Sequence, residues 1–205
     1  MIETALFTNI EEAYLSDDYQ KVVAVWEQHK QNYSFAFENL QDRKLLQALV
    51  VSYSELNRIK ESVYYINRYI RFLRAQKGNL NEYSDDVDFY FSAKSSIYSK
   101  ERKWFYEYRT LREYVGLGGK SSKLIKSLSE VENFLFQSYR RFNLYFIYVF
   151  IGVIILINIF RIIVHTPLNP LIMTLIVIIG LIWIAANYLS KDFSRKLFKI
   201  LIDII

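Results

Sequence analysis

The chain of 205 residues has no cysteine, two histidines, two prolines and six glycines. Without cysteine there is no disulfide scaffold, no thiolate metal site and no cysteine nucleophile. His29 and His165 lie far apart, which argues against a histidine-ligated zinc or a histidine-centred triad. Scarce glycine and proline argue against collagen, proline-rich linkers and turn-dense all-β folds. No basic residue opens the chain at Met1-Ile2-Glu3-Thr4, and Glu11, Glu12, Asp17 and Asp18 precede any long apolar run. A signal peptide is therefore not expected, and the first domain is expected to stay in the cytoplasm.

What is present is apolar sequence, at 52% hydrophobic and 17% aromatic residues. The mean hydropathy of +0.07 averages two different regions. Nearly all sustained apolar sequence follows Phe142. A bilayer core about 30 Å thick needs roughly 20 apolar residues in a helix. Residues 143–164 supply such a run if Arg161 snorkels outward, and residues 171–189 supply a second without charge. His165-Thr166-Pro167-Leu168-Asn169-Pro170 reads as the turn between them. A buried hairpin of a soluble protein is the competing reading.

Arg140 and Arg141 precede the first run, and Lys191, Arg195, Lys196 and Lys199 follow the second. The positive-inside rule then puts both termini in the cytoplasm and the hairpin in the inner membrane. Tyr145, Tyr148, Trp183 and Tyr188 lie where an interfacial aromatic belt is expected. Asn158 and Thr174 fall at similar depth in an antiparallel hairpin and could bond to each other, while Asn187 sits near the interface. No acid or base lies mid-span, which disfavours a proton relay. In the tail, Phe193, Leu197, Ile200, Leu201 and Ile204 share one helical face, and Lys191, Arg195, Lys196 and Lys199 enrich the polar side. Such a helix lies on an anionic membrane surface or packs on the soluble domain.

Helical periodicity dominates residues 1–141. Thr8-x-x-Glu11 fits a capping box or the interior of an earlier helix. Ser16, before Asp17-Asp18, reads as the N-cap of a second helix. Helices are expected over 42–56 and 58–76, meeting at Asn57. Another begins at Ser84 and a break falls near Lys100-Glu101. Gly116-Leu117-Gly118-Gly119 ends a helix, and Ser121 or Ser122 starts one that continues toward the first span. The expected fold is all-α. Helical hairpins over 1–119 form an α-solenoid, 120–141 connect, 142–189 form a two-span membrane hairpin and 190–205 an amphipathic helix.

The stretch LLQALVVSYSELNRIKESVYYINRYI resembles a tetratricopeptide repeat. Leu46, Leu49 and Tyr53 match the first-helix pattern, Asn57 the turn, and Ser62 and Ile66 the small and large second-helix positions. AYLSDDYQKVVAVWEQH resembles it more loosely, through Asp17, Tyr19, Val22 and Trp26. In a third pair Tyr106 takes a position that this family keeps small. Val50 and Tyr69 also depart from the family pattern, and no proline ends a repeat. The resemblance spans about residues 3–115. It implies a groove for a peptide or partner helix and no catalysis.

Residues 1–42 hold two bases and eight acids, a net −6, and residues 43–77 hold eight bases and two acids, a net +6. Arg58, Lys60, Arg68, Arg71 and Arg74 form a candidate partner- or anion-binding patch, with Tyr64, Tyr65 and Tyr69 near enough to stack bases. Solvated helix faces are the alternative, and head-to-tail charge pairing between protomers a third. Glu82, Asp85, Asp86 and Asp88 complement a helix N-terminus. Gly119-Lys120-Ser121 fails as a phosphate loop because Tyr114 stands where that motif needs glycine. No metal or cofactor is expected. The function expected is a non-enzymatic membrane-anchored adaptor that binds lipid and a cytoplasmic protein. The alternative is an oligomerising, membrane-disrupting or pore-forming effector of a bacterial abortive-infection defence system, triggered through its cytoplasmic sensor domain. Nucleic acid and nucleotides are the weaker ligand candidates.

Overall fold

The computed structural model describes residues 2–76, 80–164, 177–182 and 191–204. Every regular element among them is helical. The chain divides into two compact units, Met1–Ser129 and Glu130–Ile205.

The first unit is built from three helical hairpins: α1 (Ile2–Leu15) with α2 (Tyr19–His29), α3 (Leu40–Glu55) with α4 (Ile59–Ala75), and α5 (Ser84–Lys100) with α6 (Trp104–Gly116). Helices that follow one another in the chain pack together, and α1 also packs on α3. All three turns have the same backbone. Asp17, Asn57 and Arg102 each sit in the left-handed region, at φ 56°, 58° and 56°. The next amide reaches back to close the helix: Asp18 to the Ala13 carbonyl at 2.9 Å, Arg58 to Tyr53 at 2.7 Å, Lys103 to Tyr98 at 2.8 Å. This is the Schellman arrangement, which satisfies carbonyls the helix end leaves open. Asp and Asn adopt this conformation at low cost, and arginine does so less readily. Gly118 ends α6 in the same way, at φ 83°.

Superposing the turns sets the internal register. Leu6, Leu46 and Phe91 become equivalent, as do Ile10, Val50 and Ser95, and Trp26, Ile66 and Leu111, and all nine are buried. The second-helix position of Ser62 is shared by Val22 and Glu107, and all three are buried. Glu107, not Tyr106, thus occupies that site in the third hairpin, and Tyr106 is 55% exposed. Residue spacing alone missed this by one position, because the third turn closes at Arg102 rather than at Lys100-Glu101.

The structure also decides two capping positions. Thr8 and Glu11 lie inside α1. Asp18, not Ser16, caps α2 by accepting the Lys21 amide at 3.0 Å, while the Ser16 hydroxyl donates to the Glu12 carbonyl. A side chain one residue beyond the left-handed turn is the one that faces the free amides.

Aromatic side chains fill the core, and several buried polar tips find partners, though the Tyr90 hydroxyl has none. Trp26 Nε1 donates to Tyr65 Oη at 2.7 Å, and Tyr53 Oη donates to Glu27 at 2.8 Å. Asp86 accepts from Arg43 at 2.7 Å, Gln47 at 2.8 Å and Tyr69 Oη at 2.9 Å. Burial, then the charge of Asp86, push the Tyr69 phenol far above its ordinary range. Asp86 is therefore a buried hub joining α3, α4 and α5, and Asp88 accepts from Tyr114 at 2.6 Å. Dipole complementation suits only Glu82 and Asp85, which are exposed. Asp42 accepts from Tyr33 Oη and the Ala36 amide, fixing the chain between α2 and α3.

The helix α7 (Ser122–Val164) is continuous for 43 residues, about 64 Å at 1.5 Å per residue. It starts in the first unit and supplies the long element of the second. In the second unit Phe136, Asn143 and Ile147 form a buried stripe along it. Residues 177–182 are helical, and Gly180 lies against the Phe150 ring. The tail helix (Lys191–Ile204) packs Phe198 on Phe136 and Tyr139, with ring centroids 5.5 and 5.6 Å apart. The rest of α7 turns large apolar side chains outward, among them Phe142, Tyr145, Tyr148, Val149 and Leu156. The helix is long and apolar enough to cross a membrane, and 11% of its apolar window is buried.

Candidate functional site

The start of α4 lies between two cavities. One of about 820 Å³ runs between the second and third turns, and its walls include Ile59, Val63, Tyr98, Lys103 and Tyr106. One of about 500 Å³ lies over α2 and α4, walled by Trp26, Glu27, Lys30, Tyr33, Tyr64, Tyr65 and Arg68. Arg58, Lys60 and Glu61 border both. The turn geometry explains their position. The left-handed Asn57 ends α3, and α4 starts at once, so its first residues project from the edge of the unit.

The structure brings Arg58, Lys60 and Arg68 together and gives them different surroundings. Arg58 pairs with Glu61 at 2.6 Å and Glu27 at 3.4 Å and lies over the Tyr53 ring at 4.8 Å. Arg68 lies 5.1 Å from the Phe35 ring and 5.6 Å from Phe37. Lys60 is exposed, with no ion pair among the described residues. Arg71 is exposed near the far end of α4. Arg74 pairs with Glu113 at 2.5 Å and borders neither cavity. The patch is thus a small cluster with carboxylates woven through it. Tyr65 and Tyr69 are core residues, so of the three tyrosines only Tyr64 could stack a base.

Glu27 organises the second cavity. Its bond to Lys30, against a burial penalty, and then its bond to Tyr53 hold the carboxyl below its usual range. Sequence patterning gave Glu27 no role. The signal was its position beside Trp26 on the second helix of a hairpin, legible only once the turns are aligned. Lys94 was missed as well. It is buried on α5, 6.0 Å from the Tyr98 ring, and burial pulls its ammonium below its ordinary range.

The loop after α6 does not present its amides to a ligand. The Ser121 amide donates to Tyr114 Oη at 2.6 Å, and the Tyr114 ring lies directly on Gly119. Among the described residues no group of three His, Cys, Asp or Glu could hold a metal ion.

In the second unit Arg195 bonds Asn133 at 2.9 Å and lies over the Phe136 ring at 5.8 Å. Lys199 is 3.6 Å from Glu132, and Lys196 is exposed. The tail thus engages α7 through two of the bases expected at a membrane surface. The side chains of Lys191 and Asn158, and all of Thr174 and Asn187, lie outside the described residues. Comparison with known protein families, curated proteins and solved structures finds no match.

Proposed function

We propose that the chain is a membrane-anchored helical-repeat adaptor that holds a cytoplasmic protein partner at the inner membrane. One observation carries the reading: α7 continues without a break from the hairpin unit into a stretch of outward-facing apolar side chains. A soluble helix of that composition would bury those side chains, whereas lipid solvates them. The apolar residues 171–189 return the chain, and the flanking bases keep both termini in the cytoplasm. The tail helix rests on α7 through Phe198 and leaves Ile200 and Leu201 exposed for lipid.

The hairpins act as tetratricopeptide-like repeats stacked into a short solenoid. The recurring turn and the equivalent buried positions support this, as does the Ser62 hydroxyl donating to the Val50 carbonyl at 3.0 Å across a tight helix pair. The partner binds along α2 and α4, where Tyr64, Lys60 and Arg68 offer an aromatic and cationic surface.

Two measurements test the reading. Alkaline carbonate should leave the chain in the membrane pellet and detergent should release it; release by carbonate alone sinks the anchor. A photo-crosslinker at Tyr64 should capture a discrete protein, and Lys60→Glu with Arg68→Glu should abolish the capture while helicity is kept. Capture unchanged by that reversal removes the site. Collapse of membrane potential on expression would replace the adaptor with the membrane-disrupting alternative.

A further inference from the structure

The three hairpin turns carry a charge gradient. From two residues before the left-handed cap to one after it, they read Leu15-Ser16-Asp17-Asp18, Glu55-Leu56-Asn57-Arg58 and Lys100-Glu101-Arg102-Lys103. The first has two acids, a net −2; the second one acid and one base, a net 0; the third three bases and one acid, a net +2. The turns share one edge of the unit. Tyr19, just past the first turn, lies within the electrostatic reach of Glu55 in the second, and the second and third turns wall the same cavity of about 820 Å³. Leu15, at 77% exposure, is the most exposed large apolar side chain among the described residues.

We infer that this edge is a self-association surface, on which a second copy of the chain docks antiparallel about a twofold axis through the second turn. A gradient that runs from −2 through 0 to +2 is complementary to its own reverse. Each acidic first turn then meets the basic third turn of the other copy, and the neutral second turns meet each other. The contact uses the same residues on both copies and closes as a dimer. A uniformly acidic partner would be attracted by the third turn and repelled by the first. Leu15 supplies the apolar part, entering the other copy's cavity between Val63, Tyr98 and Tyr106. Charge sets register and orientation here, since a parallel pairing would oppose like charges. The association does not rest on the membrane reading: a chain found in the soluble fraction would leave its test intact.

The test is the mass of the purified full chain in mild detergent, by sedimentation at physiological and at 1 M salt. The wild type is expected at twice the protomer mass of 24.5 kDa and to dissociate more readily at high salt, where screening falls to about 3 Å. Asp17→Arg and Arg102→Asp should each weaken the dimer by about tenfold or more. Both turns already hold the other's residue type at the same φ, so the fold is kept, and circular dichroism checks it. The double variant D17R/R102D reverses the gradient's ends together and should restore the dimer. A monomeric wild type overturns the inference. So does a dimer that neither single reversal weakens, which would place association on the apolar helices, or a double variant that stays monomeric.

Discussion

Asp85 and Asp86 both lie in the first turn of α5, and helix-dipole reasoning would treat them alike. Such a charge stabilises by about 0.3–1 kcal/mol at an exposed site. The structure separates them. Asp85 is exposed, while Asp86 is buried against Arg43, Gln47 and Tyr69. Asp86→Ala leaves the Arg43 guanidinium without its counter-charge, at 17% side-chain exposure. Arg43 Nε already has no hydrogen-bond partner. Breaking a buried pair from one side costs about 3–5 kcal/mol. A domain of this size is stable by about 5–15 kcal/mol, so the variant should lose about a fifth or more of that. With a urea slope of about 1–3 kcal/mol per molar, the midpoint should fall by at least 1 M. Pulse proteolysis of the full chain in detergent reads that midpoint. Asp85→Ala should move it by a few tenths molar. The double variant Arg43→Met with Asp86→Leu should recover the part of the loss due to Arg43, because an apolar pair of similar volume needs no counter-charge, while Gln47 and the Tyr69 hydroxyl stay without their acceptor. Equal effects of Asp85→Ala and Asp86→Ala would refute the hub and return both residues to dipole complementation.

Three further perturbations address other parts of the first unit. Tyr65→Phe removes the acceptor for Trp26 Nε1 and leaves a buried donor unmet, so stability should fall by about 1–3 kcal/mol in the same assay; no change would mean that the indole is hydrated. Gly119→Ala puts a methyl into the Tyr114 ring, which is buried and bonded to Asp88, so melting should move down by the equivalent of about 1–3 kcal/mol, and Tyr114→Leu should relieve that penalty. Burial holds the Glu107 carboxyl above its usual range, although Ser95 bonds it. Its contribution is full below the unfolded value of about 4.3 and is lost as pH rises through the higher folded value. Glu107→Gln should therefore raise the midpoint at pH 7 and flatten its fall above about pH 4.3; an unchanged pH profile would show that Glu107 does not titrate in a buried setting.

Helix positions were legible in the sequence because period and punctuation agree. Asn57 and the Gly116–Gly119 stretch mark ends that the structure places within a residue or two. What failed was whatever needed a third dimension. Ser16 and Asp18 are both good caps on propensity, and only the left-handed Asp17 decides which of them faces the amides of α2. Asp86 belongs to an acidic run in the chain and to a basic and phenolic environment in space. The surroundings of the basic residues were hidden for the same reason. Arg58, Arg68 and Arg74 find carboxylates or rings on helices 31 to 39 residues distant or on the intervening loop, contacts that linear charge patterning does not contain.

Four of the longer-range polar contacts fall at the junctions between hairpins. Trp26 to Tyr65 and Tyr53 to Glu27 join the first hairpin to the second; Tyr69 and Arg43 to Asp86 join the second to the third. Stacked hairpins with interchangeable aliphatic cores could slide by a helical turn with little loss of apolar contact. A phenol that must reach one carboxylate cannot slide, because the displaced register leaves both groups desolvated and unpaired. The tyrosine richness of the chain therefore acts on specificity more than on burial. At Tyr53, Tyr65 and Tyr69 the ring fills volume as a leucine would, and the hydroxyl chooses the neighbour. Fixing the register between hairpins also fixes the order of their turns along one edge. A charge gradient spread over three turns has meaning as a surface only if that order is rigid, so the junctions and the edge stand or fall together.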